Sequence, residues 1–521
     1  MKDRVISFFS KNTLPKIVLI ALSVRLIAVF FAPGYMMHDD HFLTVEPASS
    51  WAVGENFNDW LPTLENKRTG PEPISFLYPG ILMVCFKAMH SIGIHDPMHQ
   101  MLFIRLLHAV YALLTVVLVF RITAKWSNVQ NATVAALLMA GLAIMPNYSV
   151  RNLVEMVCMP PFMAGFWWLI CAQDKVNNTK RELLHTGYFW AAAVIFGLAV
   201  GLRFQLGLAV AVTGVVLYFQ NGWRTFFAFG AVSLLCFSLT QIDDILLWGG
   251  KPFQHLLGYF AYNKENALHY PGSPFTYLSF VGLFILPPVS LFLVFGYFRV
   301  ARRYLLLALP ILAFLLFHLV YPNRQERFIL PALPAVLVLG VIGWNEYVKQ
   351  SAFWVRNTRL LHGCYVFFVV INTIGLFTLA TVFSKKARVE AMYYLYQAGD
   401  YKNHVLEYSH QDGGAMLPQH YSGQWTKFYY WNNKTRIEDV VAKMPEAERL
   451  FQNRDMPKPI PNYYLFYDGD RLQERIARLD TLVGPLHYCT TIESGWFDEL
   501  LHRLNDKNSL ERIHIYKVHT P

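Results

Sequence analysis

Just past the first apolar stretch the chain reads Tyr35-Met36-Met37-His38-Asp39-Asp40-His41, two carboxylates and two imidazoles in four consecutive positions. Ionisable groups at such a boundary are costly beside lipid unless they are paired or used. A carboxylate there could act as a general base on a hydroxyl nucleophile. The same residues also fit a polar loop that is merely solvated, or a metal site, although consecutive side chains seldom converge on one ion. Further on, Arg151-Asn152-Leu153-Val154-Glu155 puts an acid at the start of an apolar run. Asn152 would serve there equally as an N-cap, and Glu155 as a favourable charge at a helix N-terminus. Arg203 interrupts Gly201-Leu202-Arg203-Phe204, where it either serves a ligand or marks the meeting of two helices. In Tyr321-Pro322-Asn323-Arg324-Gln325-Glu326-Arg327-Phe328, two guanidiniums offer forks that suit phosphate oxygens. The bland alternative is a surface ion pair between Glu326 and one arginine.

The elements that must position these residues follow from composition. Of 521 residues, 54% are hydrophobic and only 15% charged, against about 25% charged in average globular chains. A polytopic membrane protein fits, whereas disordered, collagenous and disulfide-stapled chains are excluded. The net charge of +10 would raise nucleic acid as a partner in a soluble protein. Here the positive residues flank apolar runs and orient helices in the bilayer, so no nucleic-acid partner is expected. Six cysteines show no CxxC spacing, and five of them (Cys85, Cys158, Cys171, Cys236 and Cys364) lie in apolar stretches, which argues against zinc and redox roles. The first apolar stretch follows Lys2, Arg4, Lys11 and Lys16 and has no small-residue cleavage site before His38, so it reads as a retained helix.

Crossing a bilayer takes roughly 17 to 25 apolar helical residues. Runs of this kind predict spans at 15–33, 101–120, 130–147, 153–173, 187–202, 204–219, 226–246, 276–298, 304–321, 328–347 and 361–384. Segment 74–94 is the weakest candidate, broken by Pro73 and Pro79 and carrying Lys87 and His90. Omitting it places Arg121, Lys125, Lys175, Lys180, Arg181, Arg224, Arg299, Arg302, Arg303, Lys349, Arg356 and Arg359 on one side, which the positive-inside rule makes cytoplasmic. Eleven crossings are therefore expected, with 34–100, 247–275 and everything beyond 385 on the other side. The composition from 385 on alternates apolar and polar residues with frequent turns. It predicts strands at 461–467, 485–491 and 511–518 and helices at 471–479 and 496–505, a small α/β or α+β unit. The expected domains are a transmembrane catalytic domain, 1–384, with outer loops 34–100 and 247–275, and a soluble extracytoplasmic domain, 385–521.

Under this topology the clusters around Asp40, Glu155, Arg203 and Arg324/Arg327 share one side with the loop holding Asp243, Asp244, Phe253, Tyr262, Asn263, Tyr270 and Tyr277. Carboxylates with arginines suit transfer from a lipid phosphate, in which a base deprotonates an acceptor hydroxyl and cations stabilise the departing phosphate. A transporter would more readily show two related halves with broken helices at mid-membrane, and no duplication is evident.

These motifs resemble the family 22 glycosyltransferases, polyprenyl-phosphate-mannose-dependent enzymes of the N-glycan and glycosylphosphatidylinositol pathways. The family's first-loop pattern, HPDE then LEPAH and a glycine, is similar to His38-Asp39-Asp40-His41, Val45-Glu46-Pro47-Ala48-Ser49 and Gly54. Its loop aspartate falls on Asp40, with Asp39 in place of the proline and His41 in place of the acid. Asn152 and Glu155 resemble its NxxE. Asp243 or Asp244, Trp248-Gly249, Tyr262-Asn263 and Tyr270-Pro271-Gly272 resemble its aspartate-containing loop, and Asn323 to Phe328 with Pro331 and Pro334 resemble its HKEERF motif. The likeness spans about residues 15–345. It implies a GT-C fold, an inverting single displacement, and no cofactor or bound metal beyond the lipid-phosphate sugar that acts as co-substrate.

On this basis the chain is expected to be an integral membrane hexosyltransferase, moving mannose from a polyprenyl-phosphate sugar to a glycan or glycolipid acceptor on the extracytoplasmic side. The departures from the family motifs suggest a divergent member of a bacterial inner membrane rather than the endoplasmic reticulum. Asp40 is expected as general base with Asp39 as its competitor. Glu46 and Glu155 would position acceptor hydroxyls or the base, Arg324 and Arg327 would hold the donor phosphate, and Arg203, Tyr262 and Asn263 would line the same cavity. The rival readings are a flippase for lipid-linked sugars, which needs no base, and a non-catalytic assembly protein working through 385–521.

Overall fold

The computed structural model describes residues 13–55, 75–179, 182–247, 250–266, 268, 272–273, 275–279, 285–407, 416–426, 428–432, 436–451, 459–508 and 510–518. The chain divides into two compact units. A helical unit comprises Met1–Phe31, Glu72–Tyr78 and Arg105–Thr381, and a sheet unit comprises Ala32–Pro71, Pro79–Ile104 and Val382–Pro521.

Among the described residues, six helices are long and apolar enough to cross a membrane: Thr13–Phe31, Pro97–Trp126, Val154–Asn177, Trp223–Leu246, Glu326–Gln350 and Thr358–Ala380. Shorter apolar helices at Val129–Gly141, Gly187–Leu202, Leu206–Asn221, Val289–Val300 and Leu305–Val320 coincide with the other predicted spans. At 1.5 Å per residue these are shorter than the hydrocarbon core, because several break where the sequence reads as one run. The run at 130–147 splits into Val129–Gly141 and Met145–Ser149. Asn372 heals this break, its side chain accepting from the Ala143 N–H at 2.9 Å and donating to the Gly141 carbonyl at 2.6 Å. In the run at 276–298, residues 276–279 are helical, 280–284 lie outside the described residues, and a second helix begins at Val289 after Pro287-Pro288. Pro160 and Pro161 lie inside Val154–Thr179, and the Val157 carbonyl that Pro161 deprives of a donor accepts from the Tyr111 hydroxyl at 2.8 Å.

Helices Val289–Val300 and Leu333–Gln350 touch backbone to backbone. A Cβ on Gly296 would meet the Gly340 carbonyl oxygen at 2.1 Å, and one on Gly343 the Gly296 oxygen at 2.0 Å. Small residues permit such approach, and van der Waals contact drives helix association in lipid. Phe292 stacks on Trp344 beside this contact, with centroids 3.9 Å apart. Arg25, fully buried in Thr13–Phe31, donates to the Ala140 and Met139 carbonyls at 3.2 and 3.5 Å, so its charge meets the C-terminal end of Val129–Gly141.

The sheet unit is built on five strands, β1 His404–Glu407, β2 Tyr429–Trp431, β3 Tyr463–Tyr467, β4 Leu486–Ile492 and β5 Ile513–Val518, in the order β2-β1-β3-β5-β4. β1 runs parallel to β2 and β3, whereas β5 is antiparallel to β3 and β4. All five residues of β3 are buried, as a central strand covered on both faces requires. Val405, Tyr464 and Phe466 pack on one face with Ile437 and Met444 of Ile437–Phe451 and Ile476 and Leu479 of Leu472–Val483. Helix Lys386–Ala398 packs on β4 and β5. The predicted strands correspond to β3, β4 and β5, and the predicted helices to Leu472–Val483 and Trp496–Leu504.

The first loop belongs to this same unit. Gly34 pairs with Ser384, and the Ser384 N–H donates to Pro33 O at 3.2 Å. Gly34 has φ +83°, and a Cβ there would lie 2.0 Å from the Ser384 oxygen, so only glycine fits. Tyr393 holds the loop's far end, donating to Asp96 Oδ2 at 2.8 Å.

Candidate active site

In the helical unit, Glu155, Arg203 and Arg327 come together although they lie far apart in sequence. Glu155 opens Val154–Thr179, Arg203 is the C-cap of Gly187–Leu202, and Arg327 sits in the 3-10 turn Glu326–Ala332. Arg203 Nη1 lies 2.6 Å from Glu155 Oε1, and Arg327 Nε lies 3.6 Å from the same oxygen. All three side chains are at most 7% exposed. Both guanidiniums also lie over the Phe328 ring, at 5.4 and 5.6 Å. Two cations therefore lie against one carboxylate in a buried place. Arg203 Nε and Nη2 are buried and find no hydrogen-bond partner among the described residues. Buried unpaired donors are costly, and an anion bound here would satisfy them.

The neighbouring sequence candidates have other work. Arg324 donates from Nε to the Leu319 carbonyl and from Nη1 to the Gly272 carbonyl, both at 3.1 Å, tying the turn to the preceding loop. Glu326 is exposed, while Arg327 Nε donates to Gln325 Oε1 at 2.9 Å, so Arg327 turns inward rather than to the surface. Asn263 donates to Tyr259 O at 2.8 Å and its own carbonyl accepts from the Tyr321 hydroxyl at 2.8 Å, both backbone anchors. Tyr262 is partly buried in the same helix, Gln254–Asn266. Asn152 accepts from the Tyr78 hydroxyl at 2.9 Å, and that hydroxyl is 2.8 Å from His108 Nε2. Asp244 is in hydrogen-bond contact with His255 Nδ1, a pair buried to 1% exposure. Sequence reading names neither His108 nor His255, each of which lies in an ordinary helical run. Trp248, Gly249, Tyr270 and Pro271 lie outside the described residues.

In the sheet unit, Asp40 lies in the short helix His38–Phe42, buried to 3% exposure. Its Oδ2 accepts from the Met36 N–H at 3.0 Å and its Oδ1 from the Met37 N–H at 3.1 Å, which fixes the carboxylate in one orientation. Asp39 faces outward, its side chain 46% exposed and 3.8 Å from His38 Nδ1. Glu46, in Val45–Ala52, is fully buried and surrounded by donors. It lies 2.9 Å from His41 Nε2, accepts from the His420 N–H at 3.1 Å and from the Trp425 indole at 3.2 Å. The His41 ring is stacked between Tyr35 and Tyr421 at centroid distances of 4.8 and 5.6 Å. Burial pushes the His420 imidazole down to about 3, so it is neutral. Glu46 thus joins the first loop to the 419–425 segment. No local sequence signal announces this, because the partners lie 374 and 379 residues away. Among the described residues no three His, Cys, Asp or Glu side chains group as metal ligands.

The helical membrane unit and the small sheet unit together make a GT-C architecture, which solved structures share. ArnT from Cupriavidus metallidurans, bound to undecaprenyl phosphate, superposes with a TM-score of 0.61 at 14% identity, covering 98% of this chain and 99% of that one. The archaeal oligosaccharyltransferase AglB from Archaeoglobus fulgidus, in complex with an inhibitory peptide and a dolichol-phosphate, gives 0.55 at 11% identity over 91% of this chain and 71% of AglB. The chain belongs to the Alg9-like mannosyltransferase family, whose profile matches residues 16–411. GPI alpha-1,2-mannosyltransferase 3 of Mus musculus is 22% identical over 343 residues, 62% of this chain, and the match spans 57% of the mouse enzyme's length.

Proposed function

We propose that this protein transfers a hexose, mannose, from a polyprenyl-phosphate-linked donor to a hydroxyl of a glycan or glycolipid acceptor. The observation that carries the reading is the buried pair of guanidiniums on one carboxylate, with two Arg203 donors that no described residue accepts. A phosphodiester carries the charge and the acceptor oxygens that this arrangement needs. In the reaction the acceptor oxygen attacks the anomeric carbon, its proton passes to Asp40, and the bond from that carbon to the phosphate oxygen breaks. The polyprenyl phosphate leaves with an additional negative charge, which Arg203 and Arg327 stabilise. The donor's own phosphate is the leaving group, so the reading calls for no cofactor. The Lys/Arg asymmetry of the loops supports a reaction on the extracytoplasmic side, and the departures from the family motifs favour a bacterial inner membrane.

The test is incubation of the purified protein in lipid nanodiscs with labelled polyprenyl-phosphate-mannose and a panel of glycolipid acceptors. Transfer by the parent protein, abolished in Asp40→Asn with donor binding kept, is the expected result. Donor binding without transfer by the parent, with donor translocation once the protein is placed in sealed proteoliposomes, would replace the reading with that of a flippase.

A further inference from the structure

Within the helical unit, the turn 301–304 and the connection 351–357 lie at one end of the bundle. Helices Val289–Val300 and Leu333–Gln350 both finish here, since Arg299 in the last turn of the first donates to Gln350 Oε1 of the second at 2.5 Å. Arg303 reaches the same helix and donates to both oxygens of Glu346, at 2.7 and 3.1 Å. Thr358–Ala380 starts at this end, and the Tyr304 hydroxyl donates at 3.0 Å to the carbonyl of Trp126, the last residue of Pro97–Trp126. Three of the apolar helices long enough to span therefore have an end here. Trp344 packs with Tyr347 and Trp354 at centroid distances of 5.7 and 5.6 Å, and such aromatic residues are enriched at the level of lipid headgroups.

Residues 299–304 and 346–359 contain six cations, Arg299, Arg302, Arg303, Lys349, Arg356 and Arg359, and one carboxylate, Glu346. Glu346 is taken by Arg303, and Arg299 is held by Gln350 and lies over the Tyr347 ring at 5.3 Å. Arg302, Lys349, Arg356 and Arg359 are exposed, and among the described residues no carboxylate pairs with them. Four like charges gathered on one surface repel one another unless an external anion joins them. Exposed apolar side chains stand next to these cations in sequence: Phe298 is 56% exposed, Phe353 54% and Leu360 53%. A free anion would answer the charges and leave the apolar groups in water. An amphiphile with an anionic head answers both.

We propose that this end of the helical unit selects anionic phospholipid, of the phosphatidylglycerol type, with Arg302, Lys349, Arg356 and Arg359 on the headgroup phosphates and Phe298, Phe353 and Leu360 against the acyl chains. Clusters of four or more Lys and Arg at the ends of membrane helices attract anionic lipid, and the arginine forks match phosphate oxygens. The pairing of Arg303 with Glu346 and of Arg299 with Gln350 fixes the 301–304 turn against Leu333–Gln350, so Arg302 and Lys349 are presented from a rigid base. The site is separate from the Glu155, Arg203 and Arg327 cluster and does not depend on the reaction proposed there.

The test uses the full-length protein in phosphatidylcholine proteoliposomes, with spin-labelled phosphatidylglycerol or phosphatidylcholine added as probe. Electron paramagnetic resonance measures the fraction of each probe that the protein immobilises. The expected result for the parent is an excess of immobilised phosphatidylglycerol. That excess should fall in Arg302→Gln/Lys349→Gln and in Arg356→Gln/Arg359→Gln, and should disappear when all four changes are combined. Arg356→Lys/Arg359→Lys should keep most of it, which separates loss of charge from damage to the fold. Arg503→Gln/Lys507→Gln, which removes the same charge from exposed positions of the sheet unit, should leave it unchanged. No excess in the parent, or an excess that survives the four combined changes, would overturn the proposal. An equal fall in the Arg503/Lys507 variant would overturn it in favour of net charge alone. Loss of the excess in inorganic phosphate, but not in chloride of equal ionic strength, would also overturn it, because the cations would then serve a free anion.

Discussion

Each unit buries a glutamate, and the two are treated in opposite ways. Glu46 in the sheet unit meets an imidazole, a backbone amide and an indole. Glu155 in the helical unit meets two guanidiniums, and two buried donors of Arg203 find no partner among the described residues. The first arrangement is complete without a ligand and holds one part of the chain to another. The second offers Arg203 donors that no described residue takes up, which suits a preorganised anion site. Burial of a charge thus says little by itself, whereas the balance of its partners separates scaffolding from site.

The sharpest way to break the comparison is at Asp40, which resembles the scaffold in being held by two amides but is assigned to chemistry. Asp40→Asn should lower turnover by roughly 10² to 10⁴-fold, the usual cost of losing a positioned general base. Donor affinity and thermal stability should stay close to those of the parent. Turnover that survives in this variant but falls in Asp39→Asn would move the base to the exposed neighbour.

Next in size is the cation pair. Arg203→Lys keeps a positive charge beside Glu155 but loses the planar fork and its spare donors. Turnover should fall on the order of 10²-fold, as when one donor to a developing anion is removed, with a smaller change in donor affinity. Steady-state kinetics against donor concentration separates the two parameters, and an unchanged kcat would return Arg203 to the role of a helix junction.

Glu46 should respond in stability rather than chemistry. Glu46→Gln presents an amide N–H where only acceptors fit, leaving the indole or an amide of 419–425 without a partner at a cost of about 1–3 kcal/mol. Thermal unfolding in detergent should show the loss, while the KM for donor holds. The same unit should also be acid-sensitive. His404 and His420 are both pushed down by burial from the ordinary 6.5 to about 3. The unfolded chain then binds protons that the folded one refuses, so the stabilising contribution is complete above about 6.5 and is lost as pH falls from there towards 3. Melting temperature measured from pH 7 down to 4 should decline, and His404→Gln should flatten part of that slope.

What the sequence could reveal follows the same division. The apolar helices are legible because lipid demands long runs of one kind, and β3, β4 and β5 because their residues and turns are well marked. β1 and β2 are only four and three residues long and mostly buried, so they carry little alternation to read. The break at 142–144 is invisible locally because Asn372, which heals it, lies about 230 residues away. At the site, residue type was enough to single out Glu155, Arg203 and Arg327, since ionisable groups at apolar boundaries need a reason to be there. Type alone could not say that Glu46 is enclosed by His41, His420 and Trp425.

Nor could it separate Arg324 from Arg327, which share a turn and read alike. The structure sends Arg327 inward to Gln325 and Glu155 and Arg324 to two backbone carbonyls. A lysine at 324 can still donate to a carbonyl, so Arg324→Lys should cost within about 1 kcal/mol of stability, one ordinary hydrogen bond, and leave turnover near that of the parent. Arg327→Lys leaves a charge by Glu155 but no fork for a phosphate, and turnover should drop while Arg324→Lys does not. Assaying both under identical donor and acceptor concentrations gives the comparison directly. Equal losses would mean that the turn acts as one phosphate grip and that the carbonyl contacts of Arg324 give way when donor binds. A loss confined to Arg324 would place the phosphate on the other side of the turn and remove Arg327 from the site.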